Sequence, residues 1–141
     1  MTGVIDIERF DVPGRSAREQ RNAAKARELF LALSRSEFSA LWENLAPGGH
    51  VEVVGLTPER LGERAKNPNF IPELLPNGMC FRILETIAEG DTVVVRWEDE
   101  AMTSTGKKYE NKGINVLRFD DEGRFTSCVE YIDPNKFLEV M

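Results

Sequence analysis

Residues 87–97 read IAEGDTVVVRW, and this stretch decides the fold. Its Glu89-Gly90-Asp91 segment is typical of a tight turn, because Gly and Asp readily adopt the backbone angles that turns require. The β-branched and aromatic residues on both sides favour strands, which we expect over residues 80–87 and 92–102. The stretch therefore predicts two long antiparallel strands joined by a hairpin.

The hairpin is followed by two further predicted strands, over residues 108–119 and 124–132. The acidic and glycine-containing segment 120–123 is typical of the turn between them. Asp133 and Pro134 then have the order of an N-cap and a first helical residue, which predicts a short C-terminal helix.

Three helices and one short strand are predicted ahead of the sheet. Ser16 and Glu19 have the spacing of a capping box, so a helix should run from there to about residue 34. A second helix is expected from Ser36 to residue 45 with Trp42 in its core face, then a strand over 51–54 and a third helix over 57–66. Residues 1–15 are expected to form a loosely held arm, and residues 16–141 one domain. The predicted class is α+β, a cone-shaped curved antiparallel sheet with the three helices on its concave face.

Composition excludes several classes of function. The chain has 141 residues, with 18 Lys and Arg against 24 Asp and Glu, for a net charge of −6. Nucleic-acid binding needs clustered basic residues, so it is not expected. No apolar run approaches a membrane span, and no export signal is evident, so we expect a cytoplasmic protein with reduced cysteines. One histidine and two cysteines argue against a metal site, and no cofactor motif is present.

Three segments carry a resemblance to a known family. They are the hairpin at 87–97, the stretch from Tyr109 through Asn111 to the turn at 120–124, and the closing residues Val129-Glu130-Tyr131-Ile132-Asp133. In this order they resemble the SnoaL-like polyketide cyclases, within the nuclear transport factor 2-like superfamily. The resemblance covers about residues 20–140. It implies a conical pocket that takes a small, mostly apolar molecule, in a fold that hosts many different reactions.

Known chemistries of the superfamily map unevenly onto this chain. In ketosteroid isomerases, the base, the tyrosine and the protonated acid fall at Val53, Leu29 and Asn115, of which only Asn115 can donate a hydrogen bond. Limonene-epoxide hydrolase relatives use an acid–Arg–acid cluster. The resemblance implies that Arg96 with Glu98, two residues apart on one strand, and Glu130 on the last strand form this cluster. A guanidinium between two carboxylates separates their pKa values, so that one serves as acid and the other as base.

The strand over residues 92–102 has two faces, and two interpretations of them remain open. Val93, Val95 and Trp97 share one face with Asp99 and Ala101, whereas Arg96 and Glu98 lie on the other. Composition favours the apolar set in the core. The family resemblance instead implies that the charged set lines the pocket and that the Trp97 face packs against a second chain, giving a homodimer.

The resulting hypothesis is a cofactor-independent enzyme of secondary metabolism, acting on a small hydrophobic polyketide, terpenoid or steroid. The reaction would be isomerisation, cyclisation or hydrolysis by carboxylate acid–base catalysis. A non-catalytic ligand-binding or dimerisation module is the alternative. The predicted catalytic residues are Glu130, Glu98 and Arg96, and the predicted ligand-binding residues are Tyr109, Asn111, Asn115, Cys128 and His50.

Overall fold

The strands of the protein form one curled six-stranded sheet in the order β1-β3-β4-β5-β6-β2. The computed structural model describes residues 2–141. The strands are β1 (Gly3–Ile5), β2 (Leu45–Val54), β3 (Cys80–Glu89), β4 (Thr92–Met102), β5 (Lys108–Phe119) and β6 (Phe125–Ile132). The meander β3-β4-β5-β6 is antiparallel, while β1 and β2 add to its two edges in parallel. The predicted α+β class is confirmed.

Within residues 2–141, five α-helices accompany the sheet: α1 (Ala17–Ser34), α2 (Ser39–Glu43), α3 (Pro58–Leu61), α4 (Phe70–Leu74) and α5 (Pro134–Leu138). The Ser16 side chain accepts a hydrogen bond from the Glu19 backbone, and the Glu19 side chain accepts one from the Ser16 backbone, so the predicted capping box is confirmed. Helix α1 packs against β3 and β4. No helix within residues 2–141 is long and apolar enough to cross a membrane.

A row of aromatic rings runs from α1 into the sheet. Phe30 lies with its ring centroid 5.0 Å from that of Phe81, and Phe81 meets Trp97 edge-on at 5.4 Å. Trp97 is only 1% exposed, and its indole N–H donates a 2.6 Å hydrogen bond to Asn115 Oδ1. Each such ring contributes roughly 1.5–3 kcal/mol when it is buried, so this row is the centre of the core.

The inward face of β4 carries the apolar residues. Val93, Val95, Trp97 and Ala101 are all buried, whereas Arg96 is exposed. The interpretation from composition is therefore correct, and the one from family resemblance is wrong for this strand. The apolar stripe expected to join two chains lies in the core, so the Trp97 side chain is not free to pack against a second chain.

The N-terminal arm is fastened to the domain rather than loosely held. Its β1 pairs with β3, and Phe10 is 2% exposed within the core. The Arg15 guanidinium donates to the backbone oxygens of Phe10 (2.9 Å) and Thr86 (3.1 Å). The arm lacks the helical or alternating pattern that would reveal these contacts, because they are made to residues distant in sequence.

The second helix differs from its prediction. Helix α2 ends at Glu43, and β2 already begins at Leu45, so the Pro47-Gly48-Gly49 segment lies inside a strand that shifts register there. Trp42 is 62% exposed instead of buried. Residues 45–54 form a strand because they pair with β6, and this tertiary pairing overrides the helical spacing of the apolar residues before them.

The tight fit beneath Trp97 yields a stability prediction. A Cβ added at Gly113 would lie 2.5 Å from the indole ring and 2.8 Å from the Tyr131 carbonyl oxygen. Because neither neighbour is the free end of a flexible chain, Gly113→Ala should lower the free energy of unfolding by about 1–3 kcal/mol in urea denaturation. The exposed neighbour Lys112→Ala should change it by less than about 0.5 kcal/mol. Equal effects at both positions would contradict this close packing of the core.

Candidate active site

The inner face of the sheet holds a small group of ionisable side chains, Asp99, Tyr109 and Glu130, which we call the interior acid cluster. They lie on the neighbouring strands β4, β5 and β6. Asp99 is 7% exposed and Tyr109 4%, while Glu130 is partly buried. The strand pairing places Asp99 opposite Asn111, and Glu130 opposite Asn115. The sheet therefore brings residues far apart in sequence to one side of the core.

Burial dominates the electrostatics of the two carboxyl groups. Burial first, and then the nearby charge of Glu130, raise the pKa of Asp99 to about 8, although a hydrogen bond from the Asn111 backbone acts to lower it. Burial also raises the pKa of Glu130 to about 7. Removing a carboxylate from water disfavours its charged form, so both groups titrate near neutral pH. Such values are found at acid–base sites more often than elsewhere in proteins.

Asn111 connects the cluster to the C-terminal helix. Its side-chain nitrogen donates to the Tyr109 hydroxyl (2.8 Å) and to the Asp133 carbonyl oxygen (3.0 Å). Its side-chain oxygen accepts from the Lys112 and Asp133 backbone N–H groups. The predicted role of Asn111 in ligand binding is replaced by a structural one, because all four hydrogen bonds of its amide are made within the protein.

Asn115 and Cys128 lie in the interior as well. Asn115 accepts from the Trp97 indole and donates to the Cys128 sulfur at 3.7 Å. Burial raises the pKa of the Cys128 thiol to about 12, so this cysteine remains a neutral thiol at physiological pH. Both residues face the same side as Glu130, as predicted, and their polar atoms contact one another.

Arg96, Glu98 and His50 lie outside the cluster. Arg96 forms a surface ion pair with Glu85 at 2.7 Å, both side chains being about half exposed. Glu98 shares the outer face of β4 with Arg96. His50 contacts Glu52 at 3.0 Å on the outer face of β2, since Val53 is the residue paired with Glu130. The predicted grouping of Arg96 and Glu98 with Glu130 is wrong, because alternate residues of a strand point to opposite faces.

Asp99 is the residue that the sequence reasoning missed. Trp97 and Asp99 occupy the inner face of β4, where the family resemblance implied Arg96 and Glu98. No guanidinium therefore lies between the two acids. The sequence does indicate Asp99, because it shares a strand face with Val93, Val95 and Trp97, and a carboxylate on an apolar face is unusual.

Aromatic side chains cover the cluster at the end of the sheet. Phe137 of α5 meets the Tyr109 ring edge-on at 5.7 Å, and Phe70 of α4 meets Phe137 at 6.4 Å. A surface cavity of about 210 Å³ lies next to Tyr109, and a second, of about 80 Å³, lies between α1 and α2. Neither of these two cavities is lined by Asp99 or Glu130. The larger one is lined by Lys108, Tyr109, Glu110, Lys136, Glu139 and Val140.

Comparison with known proteins settles the family. A model of the SnoaL-like domain matches residues 26–128. The chain belongs to the SnoaL-like family. Its fold is that of the NTF2-like superfamily. A search of curated proteins gives no match. Within residues 2–141, no three or more His, Cys, Asp or Glu side chains are grouped to hold a metal ion.

Solved structures of low sequence identity share this fold. An NTF2-like protein of unknown function from Burkholderia pseudomallei K96243 is 22% identical, with a TM-score of 0.67 over 85% of this chain and 96% of that one. A candidate SnoaL-like polyketide cyclase from Jannaschia sp. CCS1 is 16% identical, with a TM-score of 0.70 over 92% and 96%. An LEH-like epoxide hydrolase from M. tuberculosis is 17% identical, with a TM-score of 0.61 over 86% and 90%.

The raised pKa values predict how stability depends on pH. Between the ordinary carboxyl pKa values, near 4, and the raised values of about 8 and 7, the folded protein binds more protons than the unfolded chain. The free energy of unfolding should therefore fall as pH rises from about 4 to about 8. Asp99→Asn should flatten this fall, whereas Glu100→Gln on the outer face should not. Thermal melts across this pH range provide the measurement, and parallel curves for wild type and Asp99→Asn would contradict the assignment.

Proposed function

We propose that the protein is a cofactor-independent acid–base enzyme acting on a small, mostly apolar molecule. The observation that carries this proposal is the pair of interior carboxyl groups, Asp99 and Glu130, with pKa values of about 8 and 7. General acid–base catalysis is most efficient when the catalytic pKa lies near the working pH. The reaction would be an isomerisation, a cyclisation or a hydrolysis.

Different roles follow from the different surroundings of the two acids. Burial raises the pKa of both carboxyl groups towards neutrality. We assign Asp99 the role of the acid and Glu130 the role of the base. When two carboxyl groups interact, they titrate as a pair, and the pair readily holds one shared proton. Burial also raises the pKa of Tyr109, which keeps its hydroxyl protonated beside them.

The surroundings of the cluster support an apolar substrate. Trp97, Val95 and Leu117 lie on the same inner face and are at most 1% exposed. Some structural neighbours are named as candidate polyketide cyclases, and one is named an LEH-like epoxide hydrolase. Access past Tyr109 requires Phe137 to move, because Phe137 packs on the Tyr109 ring and Phe70 in turn packs on Phe137.

A non-catalytic module of the same fold is the second candidate. It is favoured by one observation, that neither of the two surface cavities is lined by Asp99 or Glu130. In that case the acids would be a buried polar feature of a binding or dimerisation domain. The homodimer itself stays a prediction, now without the Trp97 stripe as its interface.

Hydrogen exchange in D₂O tests for catalysis with generic carbonyl compounds in place of the natural substrate. Wild-type protein is incubated with a panel of small apolar ketones, and loss of their α-proton signals is followed by NMR. A base that removes such a proton should accelerate the loss, and Glu130→Gln should reduce the acceleration roughly 100-fold or more.

Glu100→Gln is the matched control, since this glutamate lies on the outer face of β4 and should leave the exchange rate unchanged. Equal rates for wild type and Glu130→Gln would exclude Glu130 as the base. An absence of exchange with every ketone would favour the non-catalytic module.

A further inference from the structure

One oxygen atom of the interior acid cluster has no hydrogen-bond partner among the described residues. The Oδ1 atom of Asp99 is buried and has no hydrogen-bond partner within residues 2–141. A buried carboxyl oxygen without a partner is unfavourable, so proteins rarely keep one without a use for it. The charge that acts on Asp99 is that of Glu130, another acid. Asp99 and Glu130 therefore lie close enough to repel each other when both are ionised.

Among the described residues, no basic side chain is buried near the cluster to neutralise the charge of its two acids. Among residues 2–141, the buried polar and charged residues include no Lys, Arg or His. The guanidinium of Arg96, which would have been the natural partner, is on the outer face with Glu85. No buried basic side chain of the described residues can therefore serve as a cationic partner of the two acids, whereas a bound ligand can.

Aromatic rings border the two acids. Trp97 precedes Asp99 on the same face of β4, and Tyr109 interacts electrostatically with both Asp99 and Glu130. Phe137 packs on the Tyr109 ring. Carboxylates combined with aromatic faces favour a cation, because the ring quadrupole attracts positive charge. A surface cavity of about 210 Å³ lies next to Tyr109, on the side of this residue that is open to solvent.

We propose that the ligand is a small apolar amine, whose ammonium group binds between Asp99 and Glu130 while its apolar body packs on the aromatic rings. This inference rests on the site of the proposed function and adds the chemical class of its ligand. An ammonium group has three N–H donors, so it satisfies both acids and the unpartnered Asp99 oxygen together. A carbonyl oxygen, by contrast, only accepts hydrogen bonds, so it supplies no donor to an ionised carboxylate.

Binding of 2-phenylethylamine tests the proposal by calorimetry against two uncharged probes of similar shape, 2-phenylethanol and 4-phenyl-2-butanone. The amine should bind at least about tenfold more tightly than the alcohol. Because a cation favours ionised carboxylates, amine binding near pH 7.5 should release roughly one proton, measured as a difference in heat between buffers of different ionisation enthalpy. Asp99→Asn and Glu130→Gln should each weaken amine binding at least about tenfold.

The control is Glu100→Gln, which should bind the amine as wild type does, and circular dichroism verifies that each variant is folded. Equal affinity for amine and alcohol, unchanged amine binding by Asp99→Asn, or no binding of any probe at millimolar concentration would overturn the inference. Binding of the ketone without binding of the amine would also overturn it, while leaving the acid–base proposal in place. Hydrogen exchange of ketones then tests that proposal separately.

Discussion

The indole ring of Trp97 packs against the Phe81 ring and the backbone of Gly113, and its N–H donates a hydrogen bond to Asn115 Oδ1. These contacts fix the orientation of β4. A strand alternates its side chains with a period of two residues, so placing one residue inside places every second residue inside with it. Val93, Val95 and Ala101 gain burial from this orientation. Asp99 is carried into the interior by the same alternation, although a carboxyl group there is unfavourable on its own.

The cost of burying Asp99 indicates a use for it. A neutral residue of similar size would avoid the unpartnered oxygen and the repulsion from Glu130. Proteins retain such costly groups mainly where their altered protonation serves binding or chemistry. The same features that raise the two pKa values towards neutrality thus weaken the core locally. In the proposed function, the two acids serve catalysis at this cost in stability.

Asn111 links the acids to the element that covers them. Its backbone donates to Asp99, and its side chain holds Tyr109 together with Asp133, the N-cap of α5. Phe137 of that helix lies over Tyr109. The position of α5 and the arrangement of the polar side chains are therefore coupled through one amide.

Local interactions explain what could be read without the structure, and long-range contacts explain the rest. The capping box at Ser16, the N-cap at Asp133 and the bounds of β4 and β5 depend on residues close in sequence, and the structure has them as predicted. The position of Glu130 on the last strand was also available from the sequence, whereas its catalytic role stays a prediction. Alternation groups Trp97 with Asp99 and Arg96 with Glu98, but it does not say which pair faces inward. That choice depends on the apolar area that Phe30 and Phe81 offer across the core, and only the assembled sheet and α1 provide it.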